Sequence, residues 1–161
     1  MWYIQNMINE LYQEVLLDHY KKPRFKTIPE GYTLCQEGEN PSCGDFIQLY
    51  CTISKNDRLQ CHFQGHGCSV SQASASILCQ TLHNKPKDEC LDLLIKAQAL
   101  IKNGSDEEDS DIAALSGVRQ FPIRIKCAIL PWKTLELCLS QSSKDSSQSF
   151  SHKPHLKVVI S

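Results

Sequence analysis

Three cysteines and one aspartate stand where the sequence predicts turns or helix starts. Cys43 and Asp45 flank Gly44, whose missing side chain permits a sharp turn that lets both face one point. Cys68 directly precedes a predicted helix, and Cys127 stands at or just before the start of another. Three thiolates and one carboxylate complete the fourfold shell that Zn²⁺ prefers. The sequence therefore predicts a zinc site at these four residues, although their long intervals also fit three unconnected cysteines.

The donor set predicts a site that can release one of its ligands. Structural zinc sites more often use four sulfurs, or sulfurs with histidine, and a carboxylate is the weaker partner of a soft metal. We therefore expect Asp45 to give way to an incoming ligand. Helix N-termini favour negative charge, so Cys68 and Cys127 should have lowered thiol pKa values. Arg124 and Lys126 are placed to offset the negative charge of the ligands.

The remaining cysteines and two histidines compete weakly for this role. His62 and His66 have the spacing of a helical ligand pair, but a predicted strand and turn separate them, which removes the helical argument. Cys51 and Cys61 are expected to face each other across a hairpin as reduced thiols, and Cys35 has no assignment. The other cysteines are predicted to be packing residues: Cys79, Cys90 and Cys138.

Composition limits the class of protein. The chain has 161 residues, of which 41% are hydrophobic and 7% aromatic, as expected for one compact domain with an aliphatic core. A net charge of −1 gives no basic excess for nucleic acid, and no apolar run approaches a membrane span. The N-terminus has no positive charge before its apolar residues, so no signal peptide is expected. The nine cysteines should therefore stay reduced, and a cytoplasmic location is predicted.

Alternating apolar residues predict a small sheet in the first half of the chain. Residues 46–54 and 59–63 form a hairpin around a polar turn, and residues 32–35 form a possible short strand. A helix precedes them and ends at Pro23. The predicted fold is α+β, with an antiparallel sheet of about three strands packed against four to five helices.

Signals of helix ends predict where two later helices lie. Ser69 with Gln72 predicts a capping box at the start of one helix. The run of Ala and Ser in that helix indicates that another element packs closely against it. Asp88 is predicted to cap the next helix, and Gly104 to end it.

The last helix is expected to run from near Cys127 through Leu139. This start would place Pro131 in a first turn, where proline is tolerated. Serine dominates the residues that follow. We therefore predict one domain over residues 1–140 and a mobile tail over residues 141–161.

Four segments, in order, resemble the IscU/SufU family of iron–sulfur assembly proteins, which is similar to the NifU N-terminal domain. They are Leu11-Tyr12 through Asp18-His19-Tyr20-Lys21-Lys22-Pro23-Arg24, Asn40-Pro41-Ser42-Cys43-Gly44-Asp45, Gly65-His66-Gly67-Cys68-Ser69-Val70-Ser71 and Ala73-Ser74-Ala75-Ser76. The long stretch before Cys127 points to the SufU type. So does Lys126, which stands where IscU scaffolds have histidine before the cysteine.

The resemblance implies a role for the four residues. SufU-type proteins bind zinc at the positions that match Cys43, Asp45, Cys68 and Cys127, and they accept sulfur from a SufS-type cysteine desulfurase. Cys43 matches the acceptor, so a zinc-dependent sulfurtransferase that supplies a downstream Fe–S scaffold or apoproteins is expected. One alternative is a scaffold that assembles and transfers an Fe–S cluster, in which iron or the cluster replaces zinc. Another is a structural zinc domain.

Overall fold

The computed structural model describes residues 2–104, 110–142 and 157–160. Its sheet has the order β4-β3-β2-β1-β5. The strands are β1 (Leu34–Asn40), β2 (Asp45–Ile53), β3 (Arg58–His66), β4 (Lys85–Pro86) and β5 (Val158–Val159). The helices are α1 (Trp2–Lys21), α2 (Ser69–Leu82), α3 (Lys87–Asn103), α4 (Asp111–Leu115) and α5 (Pro122–Ser142), and a 3₁₀ turn, Ser116–Gln120, precedes α5.

Three antiparallel strands form the centre of the sheet, as the sequence predicts, but β1 spans Leu34–Asn40, whereas the predicted short strand spans residues 32–35. Asn40 lies opposite Asp45 between β1 and β2, and Cys51 lies opposite Cys61 between β2 and β3. The sheet has two strands more than the predicted three, and β5 pairs with β1 in parallel, so it is mixed rather than antiparallel. Both added strands are two residues long, which is too short for an alternating pattern to reveal them.

The Ala/Ser-rich helix α2 lies at the centre of the helical layer. Its residues are buried from Ser71 to Cys79, and it packs between the sheet, α1 and α5. Ser74 Oγ donates to the carbonyl of Ala128 and accepts from the indole N–H of Trp132, 2.9 Å away. The predicted close approach of another element is therefore confirmed, and that element is α5.

A buried histidine joins α1 to α2 and α4. The ring of His19 is 1% exposed. Its Nδ1 lies 2.8 Å from Ser76 Oγ, and its Nε2 lies 2.7 Å from Asp111 Oδ2. Nothing near His19 in the sequence indicates these partners, because they are 57 and 92 residues away.

Two predicted helix caps are wrong. Cys68 is the N-cap of α2 and makes no side-chain capping bond, so Ser69 is already helical and forms no capping box with Gln72. Helix α3 begins after Pro86, and Asp88 lies in its first turn, where its charge still suits the helix dipole. Gly104 ends α3 as predicted, with φ of 85° and its N–H bonded to the carbonyl of Leu100.

Helix α5 begins at Pro122, five residues before the predicted start at Cys127. Proline suits the first helical position, where no N–H partner is needed, and the prediction overlooked this signal. Pro131 is consequently inside the helix and not in its first turn. Because proline has no N–H, the carbonyl of Cys127, four residues earlier, receives no helical hydrogen bond.

The predicted tail falls partly outside the described residues. Helix α5 continues to Ser142, and residues 143–156 are not described. Val158 and Val159 pair with Gly38 and Glu39 of β1, and Lys157 Nζ lies 2.6 Å from Glu39 Oε1. The division at residue 140 stays a prediction. Within the described ranges, no helix is both long enough and apolar enough to cross a membrane.

Candidate metal centre

Cys43 lies on the short loop that joins β1 to β2. The backbone N–H of Cys43 donates to the carbonyl of Asn40 over 3.2 Å, and that of Gly44 donates to the carbonyl of Pro41 over 3.3 Å. Gly44 has φ of 67°, a conformation that favours glycine, so the predicted need for glycine at this turn is confirmed. The tight loop presents the half-buried thiol of Cys43 beside the first residue of β2.

Asp45 is that first residue, and its carboxylate is held on both oxygens. The side chain is buried, although an unpaired carboxylate would prefer water. Oδ1 accepts from the backbone N–H of Cys68 at 2.8 Å, and Oδ2 accepts from Asn40 Nδ2 at 3.3 Å. Gly67, with φ of 139°, passes so close that a Cβ there would lie 2.7 Å from the Asp45 Cα. Asp45 is therefore a constrained group.

Cys127 approaches from the second turn of α5 and is fully buried. Its Sγ accepts from Asn40 Nδ2 at 3.5 Å and lies 3.8 Å from the carbonyl oxygen of Ile123. The ligand atoms of Cys43, Asp45 and Cys127 all lie within 4.8 Å of one another. A zinc ion with bonds of about 2.0–2.3 Å needs only small side-chain adjustments to contact all three.

Cys68 lies next to this group of three, but is not part of it. It is half-buried at the start of α2. Hydrogen bonding with Cys127, together with backbone donors at Ser71 and Val70, lowers the pKa of Cys68 to about 6, against the opposing effects of burial and the Asp45 charge. The same bond and burial raise the pKa of Cys127. The predicted lowering of the thiol pKa is thus confirmed for Cys68 and wrong for Cys127. Cys127 lies in the second turn of α5 and not at its start.

In metal-free protein, the thiol of Cys68 should ionise at a lower pH than an ordinary cysteine. Because its pKa is lowered to about 6, we expect its alkylation rate to rise as pH increases through that value. Cys127→Ala removes the donor to the thiolate, so the rise should move to higher pH. Iodoacetamide labelling followed by peptide mass spectrometry measures this. If the pH dependence of Cys68 alkylation were the same in the variant, Cys127 would not be the cause of the lowered Cys68 pKa.

Arg124 and Lys126, the two basic residues predicted to offset the charge of the ligands, differ in their contacts with the centre. Arg124, on the first turn of α5, forms a hydrogen bond with Cys127 that, with the nearby Cys68 and Cys43 charges, raises the guanidinium pKa. Lys126 is exposed, and it makes no ion pair within the described ranges. Arg124 is therefore suited to offset the charge of the centre, whereas the structure gives Lys126 no such contact.

The histidines lie outside the ligand group. His62 packs edge-on against Phe25 at 5.4 Å, and burial lowers its pKa. His66 stacks on Phe46 at 5.6 Å. These ring contacts therefore give no support to the hypothesis that His62 and His66 are a pair of metal ligands.

The other cysteines contribute to packing. Cys51 and Cys61 face each other with 3.5 Å between their sulfurs, as predicted. Cys35 accepts from Gln48 Nε2 at 3.3 Å. All nine cysteines are free thiols, and the three assigned to packing are buried: Cys79, Cys90 and Cys138.

Sequence reasoning missed Asn40 and Gly67 at the centre. Asn40 is fully buried and contacts both Asp45 and Cys127. Only its position at the end of a strand, directly before the Pro41 loop, could have indicated a special role. Gly67 allows the turn after β3 to lie against Asp45, and its signal was the Gly-His-Gly sequence before Cys68.

An apolar cleft opens beside Cys43. It has a volume of about 740 Å³ and lies between α1, the start of α2 and the segment that leads into α5. Leu17, Phe121 and Ile123 line it and are strongly exposed, and Arg124 lies at its edge. The cleft places an open apolar surface next to the half-buried sulfur of Cys43.

The residues present fit a zinc ion. Two sulfurs and a carboxylate oxygen already converge, and Cys68, whose pKa Cys127 lowers, supplies a third sulfur next to them. Asn40 Oδ1 is a buried acceptor without a hydrogen-bond partner in the described part of the chain, while its amide faces the ligands. Sulfur-rich sets of this kind suit zinc or iron rather than magnesium or calcium.

Comparison with known proteins places these features in a family. The family described as NifU-like N terminal domain matches residues 11–128. A Bacillus subtilis protein, described as zinc-dependent sulfurtransferase SufU, is 39% identical over 133 residues, which are 80% of this chain and 89% of that protein. A Thermotoga maritima protein, described as iron–sulfur cluster assembly scaffold protein IscU, is 32% identical over 136 residues, 83% of this chain and 96% of that protein.

Solved structures have the same fold. A crystal structure from Fervidobacterium islandicum, described as a putative iron–sulfur cluster assembly scaffold protein for the SUF system, superposes with a TM-score of 0.71 and is 34% identical. The match covers 78% of this chain and 94% of that one. A NifU-like N-terminal protein from Brucella abortus, 18% identical, shares the fold with a TM-score of 0.73 over 87% of this chain and 99% of its own.

Proposed function

Because the chain belongs to the family of the NifU-like N-terminal domain, we propose that it accepts sulfur, in a zinc-dependent manner, for iron–sulfur cluster assembly. Its partner is a SufS-type cysteine desulfurase that carries a persulfide. The observation that carries the proposal is the half-buried Cys43 thiol, presented on a loop beside a buried carboxylate and thiol. The similarity to a relative named as a zinc-dependent sulfurtransferase supports it.

Four residues hold the metal in this proposal: Cys43, Asp45, Cys68 and Cys127. Zinc, when bound, keeps thiols deprotonated and protected from oxidation. Arg124 balances part of the negative charge through its hydrogen bond with Cys127. Reduced thiols are required throughout, which favours a reducing compartment such as the cytoplasm.

The transfer step exchanges one sulfur–sulfur bond for another. The Cys43 thiolate attacks the outer sulfur of the desulfurase persulfide, and a bond forms between these two sulfurs as the original one breaks. The desulfurase cysteine leaves as a thiolate, and Cys43 becomes the persulfide, so no external oxidant is needed. A downstream Fe–S scaffold or apoprotein then receives the sulfur.

Cys43 is better placed than Asp45 to leave the centre. The sequence predicts Asp45 as the exchangeable ligand because carboxylate is the harder donor. In the structure, however, Asp45 is buried and bonded on both oxygens, whereas Cys43 is half-buried on a loop. Swinging Asp45 out of the centre would break two hydrogen bonds, and leaving it in place without the metal would leave a buried charge. Release of Cys43 breaks neither of them, and it frees the sulfur that reacts.

The decisive experiment measures alanine formation by a cysteine desulfurase. Wild-type protein should accelerate it by removing the persulfide, and Cys43→Ala should abolish the acceleration. Mass spectrometry should find one added sulfur on Cys43 that a thiol reductant removes. Cys35→Ala, which changes another half-buried cysteine outside the centre, is the matched control and should behave as wild type. Full acceleration by Cys43→Ala would refute the proposal.

A cluster scaffold is the second candidate, because relatives described as IscU scaffolds also match this chain. Against it stands Lys126 directly before Cys127, where histidine would offer a nitrogen ligand. Supplying iron and sulfide separates the two functions. A scaffold gains stable visible absorbance, and Lys126→His should increase it. Stable cluster formation by wild-type protein, together with desulfurase stimulation by Cys43→Ala, would replace the relay with the scaffold.

A further inference from the structure

The side-chain amide of Asn40 lies between two members of the candidate metal centre. Asn40 ends β1, is fully buried and stands opposite Asp45 in the sheet. Its Nδ2 donates to Asp45 Oδ2 over 3.3 Å and to Cys127 Sγ over 3.5 Å. One amide therefore connects a ligand on the sheet to a ligand on α5.

The neighbours of Asn40 determine how its amide is oriented. An ionised carboxylate only accepts hydrogen bonds, so the NH₂ group of Asn40 and not its carbonyl oxygen must face Asp45. The carbonyl Oδ1 then has no hydrogen-bond partner among the described residues. An unsatisfied buried acceptor destabilises the folded state, and in Asn40 the two hydrogen bonds that its NH₂ group donates to Asp45 and Cys127 offset that cost.

The Asn40 side chain forms no comparable hydrogen bond with Cys43 among the bonds of the described residues. Its side chain holds Asp45 and Cys127, whereas Cys43 contacts only its backbone, through the N–H bond to the Asn40 carbonyl. Two of the three converging ligands are thus joined by a buried amide, and the third is not. When the Cys43 sulfur moves away, these amide bonds can persist.

We propose that Asn40 is a positioning residue that keeps Asp45 and Cys127 together and thereby directs ligand exchange to Cys43. This inference rests on the proposed function, in which the centre holds zinc. Hydrogen bonds to metal ligands orient them, and removing such partners weakens metal binding by roughly 10–100-fold. The same bonds spread the negative charge of the carboxylate and the thiolate, which Arg124 only partly offsets.

The test compares Asn40→Leu with Gln36→Leu. Both variants replace a fully buried amide on β1 by an aliphatic side chain of similar size, and residues 36 and 40 share the buried face of the strand. Competition with a chromophoric zinc chelator should show affinity lowered by about 10–100-fold in Asn40→Leu and unchanged in Gln36→Leu. Equal affinities of the two variants would overturn the inference.

A second measurement separates positioning from general destabilisation. Zinc-loaded protein is treated with limiting iodoacetamide, and labelling of each cysteine is determined by peptide mass spectrometry. Wild type and Gln36→Leu should be labelled first at Cys43. In Asn40→Leu, the ratio of Cys127 to Cys43 labelling should rise several-fold, and the thiolate-to-metal absorption of the cobalt(II) form should change. An unchanged ratio and spectrum would also overturn the inference.

Two further arrangements keep the test decisive. Should Asn40→Leu fail to fold, Asn40→Ser removes the two-armed donor with a smaller steric change, and the same expectations apply. In wild-type protein, the side-chain amide resonance of Asn40 should shift when zinc is added, and an unmoved resonance counts against the inference. A wild-type protein that binds no zinc refutes the proposed function itself, whereas zinc binding that is insensitive to Asn40 refutes only this inference.

Discussion

Cys127→Ala is expected to lose its zinc and much of its thermal stability, while wild-type protein retains a single tightly bound ion. Cys127 is fully buried, and its sulfur lies within 4.8 Å of the ligand atoms of Cys43 and Asp45. Because binding energy at a structural zinc site, about 10–16 kcal/mol, is coupled to folding, loss of the ion should lower the melting temperature markedly. Elemental analysis after dialysis against a chelator, and thermal denaturation, provide the measurements.

The control for this variant lies on the same helix. Cys138 is also buried on α5, but its sulfur contacts Cys51 in the core and not the centre. Cys138→Ala should create a similar small cavity and keep the zinc. Full zinc in Cys127→Ala would remove this residue from the ligand set, and equal loss in both variants would show that packing alone explains the result.

Gly67→Ala should disrupt the centre without changing any proposed ligand. The new methyl group would meet Asp45, with the Cβ 2.7 Å from its Cα, and φ of 139° is unfavourable for alanine. Backbone strain and overpacking together should destabilise the protein by roughly 2–5 kcal/mol. Displacing Asp45 should also reduce zinc content. Chemical denaturation with and without zinc measures both effects.

Gly31 offers the matched comparison. It also has positive φ, 75°, but a Cβ there meets no atom within 4 Å. Gly31→Ala should therefore cost only about 1–2 kcal/mol, from backbone strain, and leave zinc content unchanged. If Gly67→Ala lost no more stability than Gly31→Ala and kept its zinc, the close contact with Asp45 would be unimportant.

Local chemistry was sufficient to predict much of this molecule. The hairpin of β2 and β3 follows from alternating residues, the pairing of Cys51 with Cys61 from the hairpin register, and the end of α3 from Gly104. The loop geometry of Cys43 follows from Gly44. Each of these features depends on residues close together in the chain, so pattern and turn chemistry reveal them.

The features that the sequence did not reveal depend on distant contacts. Asn40 contacts Cys127 across 87 positions, and nothing near Asn40 indicates that partner. The lowered pKa of Cys68 likewise arises because α2 and α5 meet. The start of α5 is a different case, since Pro122 is itself a local signal for the first position of a helix.

Strand β5 has a consequence for how the protein is made. It follows every other described element, so during synthesis β1 emerges long before the strand that covers its edge. A bare edge can pair with other chains while the ribosome is still at work. Glu37 and Glu39 place negative charges along that edge during the interval, and like charges on two nascent chains repel each other. Lys157 is synthesised long after both glutamates and pairs with both carboxylates, so the repulsion between chains is removed only when β5 is ready to cover the edge.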